Sequence, residues 1–148
     1  MTKIESKHGI VSRSPYEMYM VMTDLSNFQR MLPEDKRGDL TADYDTLTAT
    51  VQGFHIGVKV HQRVPYSRIE LVDYDAPFAF HIIVHFEPAR EDPYKTDFWI
   101  EVEANLNLMM KMVLTTKLKE ALDQVVDGIV NASNGVMPEG FDPKVWSK

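Results

Sequence analysis

Five histidines and a scatter of carboxylates are the groups through which this 148-residue chain could do chemistry. A metal reading fails on spacing. His81 and His85 fall in a segment of period-two alternation, where residues four apart point the same way but sit ~13 Å from each other, at about 3.3 Å rise per residue. They cannot share one zinc ion, and H-x-x-x-H carries that meaning only on a helix. Pairing the neighbouring segments apolar to apolar sets His61 beside Glu70, His81 beside Glu103 and His85 beside Trp99 on a polar face, an arrangement of surface ion pairs. No metal site and no cofactor are expected.

Acid–base catalysis needs a titratable group inside a pocket with a tuned pKa. The inward-phased polar residues are few: His8, Gln62, Asp73, Tyr16 and Tyr19. His8 shares the face of Ile4, Ser6 and Ile10, and Asp73 lies at the end of its strand, at a rim. His8 and Asp73 are the catalytic candidates, and His8 and Gln62 the candidates for orienting a polar group. There is no Ser/His/Asp set at a recognisable spacing and no phosphate-binding glycine loop. The chain has no cysteine, which excludes disulfides and thiolate chemistry.

The element that must position these groups is the stretch from Asn107 to Asn134. Met110, Val113, Leu114, Leu118, Ala121, Leu122, Val125, Ile129 and Ala132 recur at helical spacing, with a polar stripe opposite. Asn107 is the expected N-cap and Asn134-Gly135 the stop. The charges run against the macrodipole: Lys111, Lys117 and Lys119 come early, Glu120, Asp123 and Asp127 late. Such a helix depends on tertiary packing and needs an apolar sheet to lie on.

The chain before it supplies one. Lys3–Ser12 reads as a strand. Ser14-Pro15 starts a short helix with Tyr16 and Met20 facing inward, and Asp24 and Ser26 cap a second with Phe28, Met31 and Leu32. From Asp39 the period becomes two, giving strands Leu40–Tyr44, Thr46–Gln52, His55–Val64, Ser67–Tyr74, Phe78–Glu87 and Lys95–Leu106. Their short connections favour an antiparallel meander. Across the last hairpin Phe86 pairs with Phe98, Val84 with Ile100 and Ile82 with Val102; across Pro65-Tyr66, Val60 pairs with Leu71. The apolar set Ile56, Val58, Val60 and Val64 shares one side.

At 44% hydrophobic and 26% charged residues the composition suits one soluble domain with a real core. A net charge of -6 without a basic cluster argues against nucleic acid or anionic membrane as the main partner. MTKIESKHG lacks a signal-peptide core and no run could span a bilayer, so a cytoplasmic location is the expectation. Residues 1–135 are expected to form the domain and 136–148 a tail. Val136, Met137, Phe141, Val145 and Trp146 would let that tail fold back or pack on a second subunit as a homodimer.

The opening KIESKHGIVSRSPYEMYMVMTDLSNFQRMLP and the closing NLMMKMVLTTKLKEALDQVVDGI, with the meander between them, resemble the START-like, birch-pollen-allergen-like superfamily (SRPBCC). Where allergen-type members carry a glycine-rich loop, this chain has only Asp43-Tyr44-Asp45-Thr46, and it looks more like the small bacterial members related to polyketide cyclases. The resemblance implies an α+β helix-grip fold, a curved antiparallel sheet of about seven strands wrapped on the C-terminal helix, with two short helices after the first strand. It also implies a cavity that receives a hydrophobic small molecule or lipid.

Such a cavity would be lined on the sheet by Phe78, Phe80, Ile82, Ile100 and Val102. On the helix it would be lined by Met110, Val113 and Leu114, with Tyr16 or Met20 at the entrance. The alternatives are a polyketide cyclase or dehydratase-type enzyme using His8 or Asp73, and an interaction module with a filled core that works through its surface.

Overall fold

The computed structural model describes residues 1–31, 40–51 and 53–135. Within them the order is β1 (Thr2–Glu5), β2 (Gly9–Val11), α1 (Pro15–Met22), α2 (Ser26–Met31), β3 (Thr41–Ala42), β4 (Thr46–Val51), β5 (Phe54–Val64), β6 (Arg68–Asp73), β7 (Phe80–Pro88), β8 (Thr96–Ala104) and the long helix α3 (Leu108–Ser133). The eight strands form one antiparallel sheet in the order β1-β8-β7-β6-β5-β4-β3, with β2 also on β8. This is an α+β helix-grip architecture. The expected tail, Val136–Lys148, and Leu32 of the second helix lie outside the described residues.

Local sequence sets the helix ends. The Ser14 hydroxyl accepts the Glu17 N–H, and the Glu17 carboxylate reaches back to the Ser14 N–H, a capping box with Pro15 at the first turn. Asp24 Oδ1 accepts from the Ser26 N–H at 3.0 Å. Asn107 Oδ1 accepts from the Met110 N–H at 2.9 Å. At the far end Gly135 takes φ +84°, where a side chain would be strained. In place of a glycine-rich loop, Asp43 Oδ1 accepts from the N–H groups of Asp45 and Thr46 and closes the β3–β4 turn.

The β7–β8 register is the one the alternation demands: Phe86 opposite Phe98, Val84 opposite Ile100, Ile82 opposite Val102, His85 opposite Trp99 and His81 opposite Glu103. Phe86 and Phe98 are fully buried at the centre of the core, beside Ile69, Met18, Met22 and Val11.

Two bulges break the alternation elsewhere, and each turns a stretch of side chains over. Ser6 pairs with Ile100: its N–H donates to the Ile100 carbonyl at 2.9 Å, and its hydroxyl accepts the Ile100 N–H at 2.8 Å. Gly9 then pairs with Phe98, so the step from Ser6 to Gly9 spans one residue more than the step from Ile100 to Phe98. The single opening strand expected over Lys3–Ser12 is therefore two, and the sheet has eight strands rather than seven. Beyond the bulge the phase inverts: Ile10 is exposed, Val11 is buried and His8 lies on the outer face.

The second bulge falls at His61. Val60 faces Leu71 as expected, but Gln62, not His61, faces Glu70. Gln62 consequently sits exposed on the outer face, Val64 falls opposite Arg68, and Arg63 joins the inner face opposite Ile69.

The sheet carries α3 mainly on β1, β2 and β8. The contact is closest at Gly9, where a Cβ would lie 2.7 Å from both Val126 Cγ1 and Val130 Cγ2. Val126, Ile129 and Ala132 are buried there, and the Ser12 N–H bonds the Ser133 hydroxyl at 3.0 Å. Replacing Gly9 by Val should therefore force the helix off β2 and cost about 1–3 kcal/mol, the usual penalty of overpacking. Gly128, whose Cβ would meet nothing within 4 Å, gives the opposite sign. Gly128→Ala should stabilise by about 0.5–1 kcal/mol through helix propensity. Denaturant unfolding of both variants reads the two signs directly.

Candidate functional site

The two halves of α3 are packed differently. Its C-terminal half is seated on the sheet, while in its N-terminal half only Leu114 is fully buried. Leu118, Leu122 and Val125 touch the core but keep part of their surface open. The sheet wall shows the same gradient. Phe80, Ile100 and Val102 are buried, whereas Phe78 and Ile82, with Leu47, Ile56 and Val60 on β4 and β5, pack only partly. These half-buried residues lie toward β4–β7, away from the strands on which the helix mainly rests. Both sets of apolar side chains thus keep part of their surface accessible.

Of the residues expected to line a cavity, Phe78 and Ile82 belong to this open region, and Met110 is half-buried on the helix. Phe80, Ile100, Val102 and Leu114 are close-packed core. Val113 is turned to solvent. Tyr16 and Met20 are also exposed, because the buried face of α1 is formed by Pro15, Met18, Val21 and Met22. Tyr16 instead packs on Tyr66, ring centroids 5.3 Å apart, and Tyr19 bridges Tyr66 and Phe86. Tyr66, in the β5–β6 turn, holds φ +65°, a costly conformation for a residue with a side chain, against this aromatic support.

The polar candidates separate. The His8 ring stacks on Trp99 at 4.3 Å and its Nδ1 lies 2.9 Å from Asp97, both on the outer face. His85 stacks on the other side of Trp99 at 4.2 Å, with Nε2 2.8 Å from Glu101 but too poorly aligned for a hydrogen bond. His81 pairs with Glu70 at 3.4 Å rather than with Glu103, and the bulged His61 lies edge-on to His81. The bulges thus remove His8 and Gln62 from the inner face, and with it the basis for their orienting a ligand. Asp73 keeps its inward phase at the rim, opposite Val58, and its Oδ1 accepts the Phe80 N–H at 3.1 Å. That bond ties the β6–β7 connection and engages the carboxylate the sequence offered as a catalytic group. Among the described residues no group of three or more metal-ligating side chains converges.

Two inward polar residues escaped the sequence reading. Arg63 Nη2 and Nε donate to the Thr23 carbonyl at 2.9 and 3.2 Å. Its Nη2 also meets the Tyr44 carbonyl and Asp45 Oδ1, and the guanidinium lies 4.3 Å from the Tyr44 ring centroid. Arg63 therefore joins β5 to the end of α1 and to the β3–β4 turn. Thr115 on α3 has a buried hydroxyl with no hydrogen-bond partner among the described residues. It lies one turn before Leu118 and two before Leu122, along the partly open apolar wall. A buried hydroxyl left unpaired is unusual and calls for a partner.

Comparison with solved structures returns this fold repeatedly. A START superfamily protein from Mycobacterium smegmatis superposes with TM-score 0.67 at 14% identity, over 91% of this chain and 99% of that one. XoxI from Bacillus cereus gives 0.71 at 9% identity, over 90% and 96%. The Aha1 dimer from Colwellia psychrerythraea gives 0.53 at 15%, over 83% and 97%. No protein-family model matches the sequence, and no curated protein does. The likeness is one of fold.

Electrostatics on the outer face makes one measurable statement. The Arg68 Nε, 2.8 Å from Glu70, holds that carboxylate below the usual range against the cost of its partial burial, and His81 adds to the effect. A folded pKa below the unfolded one stabilises the fold above the unfolded value of about 4.3 and loses that contribution as pH falls through the folded pKa. Arg68→Met should therefore lower stability at neutral pH and flatten its decline between about pH 5 and pH 3, read by denaturant titrations at both ends.

Proposed function

We propose that the protein binds a hydrophobic small molecule or lipid between the middle turns of α3, from Thr115 to Val125, and strands β4–β7. The observation that carries this reading is the partial burial of two sets of apolar side chains at the edge of the core, Leu118, Leu122 and Val125 on the helix and Ile56, Val60, Phe78 and Ile82 on the sheet. Interiors normally pack densely, and a filled core would have closed these side chains against one another. Covering them with an apolar ligand is favourable by about 25 cal/mol per Å² removed from water. The site then has the usual character of a small-molecule pocket, apolar with a few placed polar groups.

Thr115 is the polar group of this reading. Its unpaired hydroxyl supplies one donor and two acceptor positions for a carbonyl or hydroxyl on an otherwise apolar ligand. The role given at first to His8 and Gln62 passes to it. The START-like resemblance of the sequence implies the same class of ligand, and the shared fold with a START superfamily protein is consistent with it.

An environment-sensitive apolar dye tests the reading. The protein should take up about one equivalent, and Leu118→Trp, which crowds the gap from a half-buried position, should weaken uptake at least about tenfold, ~1.4 kcal/mol, with the circular dichroism unchanged. Thr115→Val, which keeps the shape and deletes the hydroxyl, should spare a purely apolar dye and weaken one bearing a carbonyl. Absence of uptake, or uptake indifferent to Leu118→Trp, would contradict the proposal.

A further inference from the structure

The exposed surface of the first turns of α3 is not the polar one that a solvent-facing helix surface normally carries. Leu108, Met109 and Met112 are 76%, 75% and 76% exposed, and Val113 is 46% exposed. At helical spacing they make two adjacent rows, Leu108–Met112 and Met109–Val113, over the first turns. Met1, also exposed, belongs to the same end of the sheet, since Thr2 pairs with Ala104 just before the helix begins.

The charge of this segment is equally unusual. Lys117 continues the Met109–Val113 row and Lys111 borders the Leu108–Met112 row. Neither has an ion-pair partner among the described residues, whereas Lys119 is held by Asp123. From Leu108 to Lys119 there are three lysines and no acidic residue, in a chain of net charge -6. Cations here oppose the helix macrodipole and so carry a small cost to the isolated fold.

We infer that this face docks on an anionic lipid surface. An exposed apolar stripe flanked by lysines matches the interface of such a bilayer: the apolar side chains enter the acyl boundary and the lysine stems lie along it with their ammonium groups at the phosphates. The acidic composition that argued against an anionic membrane as the main partner does not forbid a local contact. At physiological ionic strength charges more than about 8 Å away are largely screened, and Lys111 and Lys117 concentrate positive charge beside the apolar rows. A second copy of the chain is the poorer occupant. A two-fold contact would set the patch against itself and bring like charges together. Leu118 and Leu122, on the open apolar wall, follow directly along the same helix, so docking would present the gap to the membrane. That step rests on the ligand-binding reading above; the docking itself does not.

The test is co-sedimentation with vesicles of phosphatidylglycerol and phosphatidylcholine, against phosphatidylcholine alone. The protein should bind the anionic vesicles, release them as salt is raised, and ignore the neutral ones. Lys111→Gln with Lys117→Gln should lower the partition coefficient about 30-fold, the ~2 kcal/mol that two lysines contribute beside an anionic surface. Met109→Ser with Met112→Ser, both at exposed positions, should lower it by at least tenfold while dye uptake in solution is retained. No binding to anionic vesicles, binding unaffected by either pair, or a stable dimer dispersed by the Met pair would overturn the inference. Dye uptake without vesicle binding would leave the ligand site standing and this one refuted; vesicle binding without dye uptake would do the reverse.

Discussion

The rest of the structure depends on one close approach, that of α3 to β2 at Gly9. The absence of a Cβ lets Val126 and Val130 reach the backbone of the sheet. Ile129 and Ala132 bury behind them, and Ser12 fastens the end of the helix through Ser133. Because the helix is pinned at its C-terminal half to β1, β2 and β8, its N-terminal half need not follow the sheet toward β4–β7. Leu118, Leu122 and Val125 on the helix, with Phe78 and Ile82 on the sheet, keep part of their surface accessible.

The same bulge that delivers Gly9 to the helix also decides the chemistry. One extra residue between Ser6 and Gly9 sends His8 outward onto Trp99 and Asp97, and the bulge at His61 sends Gln62 outward and Arg63 inward. Four histidines on the outer face or rim then pair with carboxylates, His8 with Asp97, His85 with Glu101, His81 with Glu70 and His55 with Asp75, and His61 lies edge-on to His81. The inner face between helix and sheet is left largely apolar, with Asp73 at its rim, Arg63 bound to backbone carbonyls and the Thr115 hydroxyl without a partner among the described residues.

Much of this was legible in the residues. The β7–β8 register follows from uninterrupted alternation, since a slip of one would have put five apolar side chains in water. The caps at Ser14 and Asn107 and the stop at Gly135 were equally readable, because each is a local hydrogen-bonding or φ requirement. The bulges were not, because one extra residue leaves composition and mean periodicity unchanged. Gly9 within a strand pattern was a usable signal of a bulge or close approach. A polar residue at an inward phase, Gln62, was another. The exposure of Val113 was not read either: it stands about 140° round the helix from Leu118, so the two could not both face the sheet, and Val113 is exposed while Leu118 is half-buried.

The central claim is that the gap between α3 and β4–β7 is a ligand site, and native mass spectrometry of freshly purified protein, followed by solvent extraction, addresses it most directly. The account predicts a stoichiometric apolar passenger of defined mass, lost on unfolding and carrying a polar group within reach of Thr115. A single apo mass under the gentlest ionisation, with nothing apolar in the extract and no uptake when lipid extract is added back, would contradict it.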